Sequence, residues 1–259
     1  MSAPHRDAAD RVAIVTGASR ELGAAMAVAL AGAGAAVVVA HRGEADLAEE
    51  VVAGIRAEDG TALAFDADLA TVDANHALVD FATRELGRVD VFVANAGITR
   101  WASFLETDEA TWDDVVDLNL KGSYFGAQAA ARAMVSQGDG GRIVFSSSVT
   151  GIAATANLSA YSVTKAGLAH LARVLALELG PHGITVNALA IGATVNERNL
   201  RDDPDYAEHW AEVIPTGRVG RPEDVASALL YLASPEAAMV NGHILTVDGG
   251  WAAAGDVPD

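Results

Sequence analysis

Cysteine is absent from the 259 residues, which excludes a disulfide framework and a thiolate metal site. Lysine is nearly absent as well, with Lys121 and Lys165 alone. Positive charge is scarce: 17 Lys and Arg face 35 Asp and Glu, a net charge of −18. Such a surface repels nucleic acid and anionic membranes, so neither is expected as a partner. No run of 18 apolar residues is free of charges and glycines, so no membrane span is expected. The opening "MSAPHRDAAD" lacks the apolar core of a secretion signal, and a cytoplasmic protein is the expectation. No His/Asp/Glu cluster suggests a metal.

What is present is a regular alternation. Apolar runs rich in valine and isoleucine ("RVAIVT", "AAVVVA" at 35–40, "TALAFD" at 61–66, "VDVFVAN" at 89–95, "GRIVFSS" at 141–147, "GITVNALA" at 183–190, "HILTV" at 243–247) are interleaved with helical patterns. These patterns cover 22–33, 44–58, 72–86, a long stretch from about 108 to 136, 158–180 and, after an irregular segment, 222–233. Strands without polar alternation are buried on both faces. Strand–helix repetition requires right-handed crossovers and a parallel sheet. The expected fold class is α/β: one doubly wound, seven-stranded parallel sheet flanked by helices, over 10–253, with loose tails at 1–9 and 254–259. Ligands of such sheets bind beyond the carboxyl ends of the strands, which directs attention to Thr16, Ala40 to Arg42, Asp68, Asn95 to Gly97, Ser146 to Ser148 and Ala190 to Gly192.

The strongest local signal is "YSVTK". Tyr161 and Lys165 are four residues apart and share one helix face. An ammonium beside a phenol favours its ionised form, giving a proton donor and acceptor for a carbinol–carbonyl pair. Ser148, thirteen residues earlier, ends an apolar strand and is placed to hydrogen-bond a substrate oxygen. Asn119, in an apolar helix, needs a hydrogen-bonding reason such as a held water or backbone carbonyl.

"TGASRELG", "DADL", "ANAG", "NLKG", "YSVTK", "VNALAIG", "GRPEDVA" and "TVDGGW", with Ser148, stand in one register. Together they resemble the short-chain dehydrogenase/reductase family over residues 10–251. The resemblance implies a Rossmann sheet, hydride transfer with NAD(H) or NADP(H), and a homotetramer. It assigns Asn119 to a proton-relay water, Ser148 to the substrate oxygen and Tyr161 to acid/base chemistry. Lys165 would lower the Tyr161 pKa and hold the nicotinamide ribose. Cofactor contacts are expected from Gly17, Ser19, Leu22 and Gly23 in the cradle and from Asp68 and Leu69 near the adenine. Asn95, Ala96 and Gly97 would lie at the sheet centre, and Gly192 with Thr194 (or Asn196) at the nicotinamide. The sequence is also similar to bacterial sugar 1-dehydrogenases and 3-oxoacyl reductases. A cofactor-binding sensor without turnover is the alternative reading.

Three positions depart from the family pattern: Glu21 for a cradle glycine, Ala94 for an asparagine and Ile191 for a proline. Losing that proline leaves the backbone less restricted. No acid follows the second strand at 40–42, whereas Arg20 and Arg42 suit a 2′-phosphate; NADP(H) is the expected preference, with NAD(H) possible. Glu21 is expected to point away from the pyrophosphate, near Arg20 or Arg42, with the cradle formed by backbone N–H groups around Leu22. Residues 193–217 are expected to form a substrate lid. Trp101, Phe104, His209 and Trp210 either line its pocket or pack it to the body. Arg100, Arg198 and Arg201 are candidates for an anionic or polyhydroxylated substrate.

Overall fold

A computed structural model describes residues 11–254; the expected tail at 1–9 and the end at 255–259 lie outside the described residues. Seven strands form one sheet: β1 (Val12–Thr16), β2 (Ala36–His41), β3 (Ala62–Asp66), β4 (Val91–Ala94), β5 (Gly141–Ser148), β6 (Ile184–Ile191) and β7 (Ile244–Val247). Their order is β3-β2-β1-β4-β5-β6-β7, and each neighbouring pair is parallel. The order reverses between β1 and β4, which opens a crevice at their carboxyl ends.

Two apolar cores follow from strand residues that alternate between faces. Ala13 and Val15 pack with α1 (Glu21–Gly32), α2 (Ala45–Ala57) and α9 (Pro222–Ala233). Ile14 faces the other side, with α3 (Val72–Leu86), α5 (Ser123–Gln137) and α6 (Ser159–Leu179). The expected strands are all present, with ends shifted by a few residues. The long helix expected over 108–136 is interrupted: α4 (Glu109–Val116) passes through a π-helical turn, Asp117–Gly122, before α5. Such turns add a residue to the helical repeat and often mark functional positions. Here it contains Asn119.

The segment expected as irregular carries two short helices, α7 (Glu197–Asp202) and α8 (Tyr206–Val213). Asn196 caps α7 by accepting from Asn199 N–H at 2.8 Å. That local signal, Asn before an acidic first turn, was available in the sequence. Among the described residues no helix is long and apolar enough to cross a membrane, and no group of three His, Cys, Asp or Glu side chains is placed to hold a metal.

Candidate active site

The cradle begins where β1 ends. Gly17 has φ +62°, and a Cβ there would lie 2.9 Å from Ala96 Cα. A Cβ on Gly23 would lie 2.0 Å from the Gly17 carbonyl oxygen. Both positions therefore exclude any side chain, and they keep the first turn of α1 tight against the loop. That is the backbone shape needed to bring N–H groups to a phosphate, and it fits a dinucleotide.

From this turn a chain of hydrogen bonds runs across the carboxyl edge of the sheet. Thr16 Oγ1 accepts from the N–H groups of Asn95 and Ala96 at 2.8 and 2.9 Å. Asn95 Nδ2 donates to the carbonyls of Thr16 and Gly17. Its Oδ1 accepts from Ser146 Oγ at 3.1 Å, and Lys165 Nζ donates to Ser146 O at 2.7 Å. The three consecutive serines thus have three tasks. Ser146 links Asn95 to the Lys165 ammonium, Ser147 donates to the Lys165 carbonyl at 2.8 Å, and Ser148 faces the Tyr161 hydroxyl.

Lys165 is buried, and burial lowers its ammonium to a pKa of about 8. No carboxylate among the described residues is within ion-pair distance of it; its one protein acceptor leaves donors free for a ligand's hydroxyls. Gly97 makes room for this end of the site, since a Cβ there would meet Asn119 Oδ1 at 3.0 Å and Lys165 Nζ at 3.5 Å. Asn119 is fully buried and holds both polar groups of Ile98, accepting from its N–H and donating to its carbonyl at 2.8 Å each. The amide is thus committed to backbone, one of the two reasons expected for it.

The Tyr161 hydroxyl is flanked by Ser148 and by Thr99, a residue sequence reading passed over although it lies just beyond the end of β4. One expectation is corrected here. The phenol's pKa is raised rather than lowered, because desolvation outweighs Ser148, Thr99 and the charge of Arg198. Lys165 Nζ stands 5.4 Å from the ring centroid and is not among the groups that shift the phenol. Its low-pKa ammonium is turned to Ser146 O instead.

The two arginines expected to suit a 2′-phosphate both have acidic partners. Arg20 pairs with Glu44 at 2.9 Å, Ser19 Oγ donates to the same carboxylate, and Arg42 reaches Asp68 at 3.4 Å. Each arginine therefore carries its own acid, and Glu44 lies only two residues past the window in which an acid was sought. Leu69 has its side chain in the core. At the far end, Thr194 is buried with its hydroxyl on Gly192 O at 3.1 Å. Ile191 remains in the ladder, opposite Ser148 and Val247, so strand pairing supplies the order that a proline would have given.

Glu21, expected near Arg20 or Arg42, turns to neither arginine. Its Oε1 accepts from the Glu197 N–H at the start of α7, at 2.8 Å. Glu21 also has φ +51°, a region that costs a non-glycine residue about 1–3 kcal/mol unless its surroundings impose it. At α8, His209 pairs with Asp203 at 2.9 Å, and Trp210 lies between Tyr206 and Trp251 with ring centroids 5.9 and 5.5 Å away. His209, Trp210, Val213 and Trp251 border a cavity of about 290 Å³. Trp101 and Phe104 are exposed.

Comparison with known proteins gives the site its context. The family model described as "Enoyl-(Acyl carrier protein) reductase" matches residues 17–252. L-rhamnose 1-dehydrogenase (NAD(P)(+)) of Azotobacter vinelandii is 42% identical over 250 residues, covering 93% of this chain and 96% of the relative. 2-Dehydro-3-deoxy-D-gluconate 5-dehydrogenase of Dickeya dadantii is 38% identical, covering 94% and 96%. A crystal structure from Agrobacterium tumefaciens with bound NADP superposes with a TM-score of 0.85 at 38% identity, covering 94% of this chain and 97% of that one.

Proposed function

The chain belongs to the short-chain dehydrogenase/reductase family, and on that premise we propose that it interconverts a secondary alcohol and a carbonyl on a sugar-type or 3-oxo substrate, with Tyr161 as acid/base. The observation that carries this is one cluster: Tyr161 between the hydroxyls of Ser148 and Thr99, with the buried Lys165 ammonium on the same helix and the glycine cradle tied to it through Asn95 and Ser146. When bound, the nicotinamide cofactor supplies or accepts the hydride. Gly17, Ser19, Leu22 and Gly23 would hold its pyrophosphate, Lys165 its ribose, and Gly192 with Thr194 its nicotinamide side. Ser148 donates to the substrate oxygen and orients it. Tyr161 gives that oxygen a proton in reduction and removes it in oxidation. Its raised pKa keeps the phenol protonated at neutral pH, the form that serves reduction. The test is oxidation of L-rhamnose and of sugar acids, followed by NAD(P)H absorbance.

Cofactor binding to Lys165 has a measurable consequence. At pH 8 an ammonium of pKa about 8 is half deprotonated. Hydrogen bonds donated to ribose hydroxyls favour the charged form and raise that pKa. Cofactor binding at pH 8 should therefore take up as much as about half a proton, and almost none at pH 6. Calorimetry in two buffers of different ionisation enthalpy measures this, and proton release at pH 8 would contradict it.

We also propose that NADP(H) is preferred and NAD(H) used. Arg20 and Arg42 supply the positive charge for a 2′-phosphate, and Glu44 and Asp68 moderate it. Glu44→Gln removes one acid from this end of the site. It should raise the ratio of kcat/KM for NADP over NAD by about tenfold, the scale of one charge acting on a phosphate through water at short range. An unchanged or lower ratio would show that Glu44 does not face the 2′ position. A homotetramer is part of the same reading: α4, α5 and α6 leave Trp112, Tyr124, Val163 and Leu177 exposed, and association would cover them.

A further inference from the structure

Three arginines stand out near the substrate end of the site, and the structure separates them. Arg100 reaches Asp114 at 3.7 Å, and Arg201 reaches Asp202 at 3.6 Å. Arg198 differs. It is half-buried in the first turn of α7. Its hydrogen bond goes to the neutral Asn199 Oδ1 at 3.1 Å, and no carboxylate among the described residues pairs with it. Yet acids are close by in sequence: Glu197, Asp202, Asp203 and Asp205 share its lid.

The lid is built to keep Arg198 where it is. Asn199 Nδ2 donates to Thr194 O at 3.1 Å, and Asn196 caps the same turn. The residue before Arg198 is the one that Glu21 grips from the cradle. The charge of Arg198 acts on two phenols, that of Tyr161 in the reaction centre and that of Tyr206 in α8, which burial pushes up to about 12. A guanidinium that is half-buried, held by a neutral amide and without a carboxylate partner among the described residues lacks only an anion, because a carboxylate matches its planar donor fork. In a chain of net charge −18, the general field repels anions, so any anionic substrate depends on such a local cation.

Building on the oxidoreductase reading above, we propose that Arg198 is the anion receptor of the substrate site and that the substrate is a hydroxy acid of sugar-acid type, its carboxylate on Arg198 and its carbinol at Tyr161. Glu21 is the positioning residue. Its left-handed backbone turn directs the carboxylate across to Glu197 N–H and fixes α7, and with it Arg198, relative to the cradle.

The experiment uses the full chain saturated with NADPH and titrates D-gluconate by calorimetry. An alcohol cannot react with reduced cofactor, so binding is read without turnover. D-Gluconamide is the neutral control. The wild type should bind gluconate at least about tenfold more tightly than the amide. Arg198→Gln should weaken gluconate by about 30-fold or more and the amide by less than about threefold, consistent with loss of a charge-assisted pair. Arg198→Lys should fall between. NADPH affinity should stay within about threefold in the Arg198 variants. Glu21→Gly should weaken gluconate about fivefold, and Glu21→Gln, whose amide oxygen still accepts from Glu197 N–H, should restore it. Equal binding of acid and amide, no gluconate binding at 20 mM (on the order of 1,000-fold weaker than a tight ligand), or an Arg198→Gln defect seen in NADPH binding would each overturn the proposal. Turnover of neutral sugars with none of any sugar acid would refute it while sparing the oxidoreductase reading. Arg198-dependent gluconate binding without turnover of any substrate would do the reverse.

Discussion

Replacing Tyr161 with phenylalanine should lower kcat by about 10²–10⁴-fold on the best substrate, the range for loss of one acid/base group, and leave cofactor affinity within about twofold. The phenol is the group enclosed by Ser148 and Thr99, whereas the cradle, Asn95 and Lys165 stand apart from its hydroxyl. The ring itself fills the same space in the variant, so Lys165 keeps its hydrogen bond to Ser146 O. Steady-state kinetics and a fluorescence titration with NADPH separate the two effects. A variant with a third of wild-type kcat would remove Tyr161 from the chemistry.

The second large effect is at the cradle. Gly23→Ala places a methyl 2.0 Å from the Gly17 carbonyl oxygen and 2.8 Å from Ala18 Cα. Both obstacles are backbone, so the turn itself must open. NADP(H) affinity should fall by more than about 100-fold, and unfolding free energy by about 1–3 kcal/mol, the cost of overpacking. Gly54→Ala is the internal control. Gly54 lies inside α2 with nothing within 4 Å of an added Cβ, and the substitution should stabilise the protein by about 0.5–1 kcal/mol through helix propensity. Calorimetric Tm and cofactor Kd for both variants test this. A Gly23→Ala protein that binds NADPH like the wild type would place the pyrophosphate elsewhere.

What the sequence made legible is what periodicity and spacing encode. Seven apolar runs separated by amphipathic patterns give the sheet. The interval from Tyr161 to Lys165 gives a shared helix face, and strand ends gather Thr16, Asn95 and Ser148 at one edge. What it concealed depends on distances between residues remote in the chain. Glu21 and Glu197 are 176 positions apart, and no local pattern links a cradle carboxylate to a lid N–H. The pairing of Ser19 and Arg20 with Glu44 was hidden for a similar reason: the acid belongs to the loop after β2 and folds back onto the cradle. The phenol's raised pKa was missed because spacing reports an ammonium nearby but not the depth at which both groups lie. The π turn at 117–122 leaves the helical periodicity on either side intact, so the long stretch read as one helix.

The central claim is hydride exchange between a carbinol carbon and a nicotinamide, with Tyr161 managing the proton. Its most direct measurement is isotope transfer. Substrates deuterated at the carbinol carbon, including L-rhamnose deuterated at C1 and sugar acids deuterated at each carbinol carbon in turn, are incubated with NADP⁺, and the reduced cofactor is analysed by mass spectrometry. The wild type should yield cofactor carrying one deuterium from at least one substrate, and Tyr161→Phe should form it at least about 100-fold more slowly. A wild-type protein that binds the cofactor but transfers no deuterium from any of them would contradict the account and leave a chain that senses nicotinamides without turning them over.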